Sequence, residues 1–126
     1  MRKFPKQSPF TMQQRLRRWI GRNVSITASN LSVEPGRLTK VLKSTIIVVQ
    51  GERFVPLSTN FIIVHNVPRA KRFFKAGVRT TFQANGMFDN IQLVFIGTNF
   101  IELQRTGTSL ERSLIPMNKV EGLFSV

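Results

Sequence analysis

Apolar and polar residues alternate along several short segments of the chain. The segments 24–28 and 78–82 place apolar or β-branched residues at every second position, and β-branched residues dominate 45–49 and 61–64. A period of two is typical of strands with one buried side, and β-branched residues favour strands. The pattern therefore predicts a mainly β protein.

Turn-forming residues interrupt these segments at short intervals. The interruptions are Glu34-Pro35-Gly36, Gln50-Gly51-Glu52, Asn85-Gly86 and Gly97-Thr98. Short strands that follow one another between turns are typical of a small antiparallel barrel. Pro56 and Pro116 lack the N–H that a ladder needs, so we expect each to begin a strand or to lie at an edge.

One segment, 12–20, has the pattern of a helix. Thr11 and Gln14 form a capping box before it, and Gly21 can supply the left-handed residue that ends it. Its apolar residues fall on one stripe, which would pack on a barrel: Met12, Leu16, Trp19 and Ile20. A shorter helical turn is expected at 68–74, with Pro68 near its first position.

The chain also resembles itself after a shift of 54 positions. The shift lays Arg17-Arg18-Trp19-Ile20 on Lys71-Arg72-Phe73-Phe74 and Val24 on Val78. A longer loop at 105–112 then brings Phe54-Val55-Pro56-Leu57 onto a similar segment that begins at Leu114. We interpret the chain as a basic extended arm (1–10), a helix with a first five-stranded barrel (11–67), and a second barrel with a basic lead-in segment (68–126).

These elements carry a family resemblance. The helix, the strand opening at Gly21-Arg22-Asn23-Val24, and the strands at 36–41 and 46–49 resemble the Sm-like family, which includes the bacterial Hfq-type proteins. The Phe54-Val55-Pro56-Leu57 element resembles small Sm-like proteins of spore-forming bacteria. The resemblance implies two tandem SH3-like barrels, RNA binding, and assembly from edge to edge.

The family's base-contacting loop does not transfer to this chain. In that loop an Asp precedes an Asn by four residues; Asn99 fits the Asn, but Phe95 stands at the Asp position, and the first unit has Val41 and Thr45. We therefore expect RNA to be held by basic residues outside the barrels.

Charge is distributed very unevenly along the 126 residues. Residues 1–75 contain fifteen Lys and Arg against two acidic residues, whereas residues 76–126 contain four of each sign. The whole formal net charge of +13 therefore belongs to the first part of the chain. Such asymmetry favours a polyanionic partner over a merely solubilising surface.

We predict that two basic clusters contact RNA phosphates, with the arm becoming ordered only on binding. The predicted nucleic-acid-binding residues are Arg2, Lys3, Lys6, Arg15, Arg17, Arg18, Arg22, Arg69, Lys71, Arg72 and Lys75. The expected partner is a structured RNA, such as ribosomal RNA. The first hypothesis is therefore that this chain is an RNA-binding accessory protein of the bacterial cytoplasm that associates with ribosomes.

Other readings of the same residues remain open. Open strand edges or the neutral second barrel could contact protein, so a self-assembling structural protein, such as a spore-coat component, is the alternative. The aromatic residues Trp19, Phe73 and Phe74 could stack on bases, but their apolar stripe favours core packing. Membrane binding by the short basic helix is disfavoured, because it offers only about four apolar residues.

Catalytic chemistry is not expected. The chain has no cysteine and a single histidine, His65, which we interpret as a structural or surface residue. No phosphate-binding glycine loop, paired carboxylates or metal-ligand cluster can be assembled from the sequence. We therefore expect a non-enzyme with no cofactor and no metal. The apolar runs are also too short for a membrane span.

Overall fold

A computed structural model describes residues 6–28, 31–43, 45–49, 53–56, 61–80, 87–105 and 110–125. The predicted mainly β, antiparallel fold is confirmed. Over the described residues, ten strands form one open sheet, and one short helix packs on it. The predicted turns at Gln50-Gly51-Glu52 and Asn85-Gly86 lie outside the described residues.

The elements follow one another with short connections. They are α1 Met12–Arg17, β1 Asn23–Ala28, β2 Leu31–Val41, β3 Thr45–Val49, β4 Arg53–Pro56, β5 Phe61–His65, β6 Phe74–Thr80, β7 Met87–Ile96, β8 Phe100–Gln104, β9 Glu111–Pro116 and β10 Val120–Ser125, with a 3-10 turn at Met117–Lys119.

The same strand order occurs twice along the sheet. The complete order is β10-β6-β7-β8-β9-β5-β1-β2-β3-β4. In each half the fifth strand therefore pairs with the first, and the fourth strand lies at the opposite end of the half. The two halves meet where β9 pairs with β5, with Ile62 opposite Leu114 and His65 opposite Glu111. Strands β4 and β10 are the outer strands of the described sheet.

Helix α1 begins as predicted and ends earlier than expected. The capping box between Thr11 and Gln14 is present, and Gly21 has a φ of 100°. The helix stops at Arg17, so Ile20 leaves the apolar stripe and is 47% exposed, which corrects the expectation that it packs. The helical turn predicted at 68–74 does not form; that segment is irregular and leads into β6 at Phe74.

Two expectations about proline were wrong. Glu34-Pro35-Gly36 is not a turn but part of β2, where the register shifts so that two β2 residues stand opposite Ser25. A bulge tolerates a residue without an N–H. Pro56 lies on the outer strand β4, as predicted for an edge position. Pro116 was expected to begin a strand or to lie at an edge, but it ends β9, which is paired on both sides, at the strand terminus, where a missing N–H costs little.

The central strands are buried on both sides of the sheet. All five residues of β8 are buried, and alternate residues of β5, β8 and β9 enter different apolar clusters. Cluster 1 lies beneath helix α1 and contains Met12, Leu16, Trp19, Val24, Ile26, Leu38, Val41, Ile62, Val64, Val67, Phe100 and Leu114. Cluster 2 lies on the opposite side and contains Phe61, Ala76, Val78, Ile91, Leu93, Ile101, Leu103 and Ile115.

Each half of the chain therefore completes the core of the other. Phe100 and Leu114 belong to the second half by sequence and pack in cluster 1, whereas Phe61 belongs to the first half and packs in cluster 2. Because each cluster contains residues of both halves, which are joined by the β5–β9 pair, we expect the described sheet to unfold as one cooperative unit.

We predict that Leu114→Ala destabilises the whole chain by about 2 to 5 kcal/mol, because it opens a cavity in cluster 1. Urea unfolding should show a lower midpoint in one transition, coincident for the fluorescence of Trp19, the single tryptophan, and for far-UV circular dichroism. Leu110→Ala, at a leucine that is 51% exposed, is the matched control and should change little. Two separate transitions would contradict a shared core.

Candidate nucleic-acid interface

The last turn of helix α1 presents cations to solvent. Met12, Leu16 and Trp19 are buried in cluster 1, which orients the helix, and Arg17 and Arg18 are exposed on its other side. Cations are favoured at a helix C-terminus, where backbone carbonyls carry partial negative charge. The capping box and the apolar stripe thus fix where these two guanidinium groups emerge.

Backbone hydrogen bonds join the end of the helix to strand β2. The Gly21 N–H donates to the Leu38 carbonyl at 2.8 Å, and the Leu38 N–H donates to the Arg22 carbonyl at 2.9 Å. The Gln13 side-chain amide also donates to the carbonyl of Lys43, an exposed residue just after β2. Arg17 lies one turn after Gln13, and residues four apart share a helix face. The backbone of Lys43 is thus held beside the helix. We call Arg17, Arg18, Arg22 and Lys43 the helix-end cluster.

The segment that connects the two halves lies on the same side of the sheet as the helix. The Arg22 guanidinium donates to the Asn66 carbonyl, and Arg112 donates to the Pro68 carbonyl. The Gln104 side chain accepts from the Ala70 N–H at 2.9 Å and donates to the Ala70 carbonyl at 3.2 Å. These contacts fix the segment just before the exposed residues Lys71 and Arg72.

Two basic groups that are about fifty positions apart in sequence are thus brought to one side of the sheet. The helix-end cluster touches the connecting segment directly, through Arg22 and Asn66. Lys71 and Arg72 follow within a few residues of that contact. Both groups therefore lie near the connecting segment, on the helix side of the sheet.

Arg15 differs from the other predicted phosphate ligands. Its guanidinium forms a two-point ion pair with Glu102, with Nε–Oε1 at 2.6 Å and Nη2–Oε2 at 3.0 Å. It also lies over the rings of Trp19 and Phe95, 5.0 Å from each centroid. Because Arg15 is paired with a buried carboxylate and packed on two rings, we assign it to the packing of helix α1 and not to the exposed cationic surface.

Glu102 was missed by the sequence analysis and lies at the centre of this packing. It is fully buried in β8 and also pairs with Arg112 of β9, at 2.5 Å. An isolated buried carboxylate is strongly unfavourable unless it is paired and hydrogen-bonded. The signal was present in the sequence, because an acidic residue interrupts the apolar strand Phe100–Gln104 at a position that must face inward.

The remaining predicted ligands are distributed around this surface. Arg69 donates to the Gln92 amide oxygen at 2.9 Å, and Lys75 is exposed on β6, where it pairs with Gln92. Lys6 is exposed in the arm. Arg2 and Lys3 lie outside the described residues.

The part of the arm that the structure describes is docked on the protein. Ser8 N–H donates to the Ile96 carbonyl and Thr98 N–H to the Phe10 carbonyl, both at 2.8 Å. The Phe10 ring stacks on Phe95, with centroids 6.2 Å apart. The expectation that this segment becomes ordered only on binding is therefore wrong for residues 7–10, because backbone hydrogen bonds and ring stacking hold it.

Carboxylates are scarce around the exposed cations. Among the side chains that the structure describes there are three: Glu102 is buried with its two arginines, Glu111 contacts His65, and Glu121 lies on outer strand β10. Within those ranges no ion pair involves Arg17, Arg18, Lys71 or Arg72.

A second polar group joins three neighbouring strands. Ser25 of β1, His65 of β5 and Glu111 of β9 are linked in series, with Ser25 Oγ 2.7 Å from His65 Nε2 and His65 Nδ1 3.0 Å from Glu111 Oε2. The histidine is half-buried, and each ring nitrogen has a partner. The structural or surface role predicted for His65 stays a prediction.

No protein-family model, curated protein or solved structure matches this chain. In the described ranges, no group of three or more His, Asp or Glu residues could hold a metal ion. None of the helices described there is long and apolar enough to cross a membrane.

We predict that Glu102→Gln destabilises the fold by about 3 to 5 kcal/mol, because it leaves Arg15 and Arg112 as uncompensated charges in a buried site. Chemical denaturation measures the change, and Glu121→Gln, on an exposed residue, should have almost no effect. Replacing Arg15, Glu102 and Arg112 together by apolar residues of similar size should recover most of the loss. A Glu102→Gln variant with the stability of the parent would contradict this account.

Proposed function

We propose that this chain is a non-enzymatic RNA-binding accessory protein that holds the phosphates of structured RNA, such as ribosomal RNA, in the cytoplasm. The observation that carries the proposal is the junction of the helix-end cluster with the connecting segment, through Arg22 and Asn66. It joins cations from distant parts of the sequence into one surface without nearby described carboxylates. A phosphate chain is the natural ligand of such a surface.

We further propose that the two halves are tandem Sm-like barrels, 11–67 and 68–126. The repeated strand order supports this proposal, since each half runs from its fifth strand through its first to its fourth. The matched positions Val24 and Val78 support it too, because each pairs with a residue of the fifth strand of its own half.

Different basic residues then have different tasks. Arg17, Arg18 and Lys43 contact phosphates from the end of the helix, while Lys71 and Arg72 contact them from the connecting segment. Lys6, Lys75 and the arm residues Arg2 and Lys3 extend the contact. Arg15 acts indirectly, because its pairing with buried Glu102 sets the position of the helix. Contacts of this kind give orientation and salt-dependent affinity with little base specificity.

We predict that the triple variant Arg17→Gln, Arg18→Gln, Lys43→Gln lowers affinity for structured RNA and reduces the slope of log affinity against log salt by about 2 to 3, while the Arg22 contact with Asn66 stays intact. Filter binding over a salt series measures both quantities. The triple variant Arg79→Gln, Arg105→Gln, Lys119→Gln removes the same charge from the second half and is the matched control.

Equal losses in the two triple variants would show that net charge alone attracts the RNA. Affinity independent of salt would exclude phosphate binding altogether. Either result would reject the proposed surface.

The alternative function is a structural protein that assembles through its sheet edges. The outer position of β4 and β10 favours it, because each has one sheet neighbour among the described strands. Light scattering after nuclease treatment separates the two functions. Large particles that resist salt would support assembly, whereas a small species that purifies with nucleic acid would support RNA binding.

A further inference from the structure

The Ser25, His65 and Glu111 side chains stand in the order of a nucleophile, a base and a group that orients the base. The register of the sheet makes this possible. His65 lies directly opposite Glu111 across the β5–β9 pair, and Ser25 lies opposite Ile63, two residues from His65 on the same side of β5. The series thus spans the junction between the two halves.

The protonation of the histidine follows from its partners. An ionised Glu111 carboxylate can only accept, so His65 Nδ1 must carry the proton that lies between them. In a neutral imidazole the other nitrogen, Nε2, is then an acceptor, and the Ser25 hydroxyl donates to it at 2.7 Å. The serine proton is therefore already directed at a base that is fixed in the required tautomer.

The position of Ser25 within the sheet also favours reactivity. The bulge in β2 places two residues opposite this one serine, and one of them is Pro35, which has no N–H. Bulges redirect the side chains that they face. Ser25, His65 and Glu111 are each half-exposed.

We propose that Ser25 is an acylation site, at which the serine hydroxyl accepts an acyl group from a small activated ester. The Ser25 oxygen attacks the carbonyl carbon while His65 Nε2 takes the hydroxyl proton. The bond from that carbon to the leaving oxygen then breaks, and the leaving group departs as an anion with the electron pair. Glu111 is a positioning residue, because it acts only through His65.

One acylation event, and not rapid turnover, is the expected outcome. Strand β1 is paired on both sides, with β2 and with β5, so its backbone N–H groups serve the ladders. Efficient turnover needs preorganised donors for the oxyanion, and a strand interior of this kind does not offer a free pair. A covalent adduct on Ser25 is therefore compatible with a protein that is otherwise non-enzymatic, and the inference does not depend on RNA binding.

The test is acetylation of the full chain by p-nitrophenyl acetate, followed by peptide mass spectrometry. We expect one acetyl group on Ser25, and the rate of its formation is recorded as a function of pH. His65→Gln should slow the labelling of Ser25 by about 100-fold or more, the usual contribution of a positioned base. Glu111→Gln should slow it less and shift the pH profile, a change that a merely structural role would not produce.

Ser113→Ala is the matched control, because Ser113 is a half-exposed serine that also stands opposite Ile63, on β9. It should leave the labelling of Ser25 unchanged, and prior unfolding in urea should abolish the selectivity. Acetylation that is confined to lysines, or Ser25 labelling that proceeds equally fast in His65→Gln, would overturn the proposal. Circular dichroism of each variant confirms that the fold is retained during the comparison.

Discussion

A buried carboxylate, Glu102, is the constraint around which this structure is arranged. It lies in a strand that is buried on both sides, and its charge is balanced by Arg15 of the helix and Arg112 of β9. Arg112 reaches onward to the carbonyl of Pro68, and the Arg15 guanidinium lies over Trp19. One negative charge thus sets the position of the helix, the connecting segment and the fourth strand of the second half.

The exposed surface depends on that buried arrangement. Once helix α1 and the connecting segment are fixed, Arg17 and Lys71 emerge on the same side of the sheet. The apolar contacts of the helix position it, and the buried ion pairs determine its orientation relative to the second half. Buried Glu102 therefore helps to set the positions of the exposed cations, although it does not contact them.

The sequence predicted which secondary-structure elements form, but it did not predict which of them contact each other. The two-residue period gave the strands, and the capping box with Gly21 gave the beginning of the helix and the turn beyond its end, because these signals are local. It could not show that Arg15 faces Glu102, since 87 positions separate them and only the sheet order joins them. The sequence likewise predicts a turn at Pro35, because a proline and a glycine interrupt the alternation of apolar and polar residues. Pairing with the neighbouring strand β1 turns this interruption into a bulge within β2.

The β5–β9 pairing has a consequence for how the polypeptide acquires its fold during synthesis. Strand β5 is made early, yet its neighbour on one side, β9, begins about fifty residues later, at Glu111. Until β9 is made, one edge of β5, the strand of Ile62 and Val64, has no partner strand. Cluster 1 then still lacks Phe100 and Leu114. The nascent first half therefore exposes apolar residues and is incompletely packed. Contacts between residues that lie far apart in the sequence slow the last step of folding.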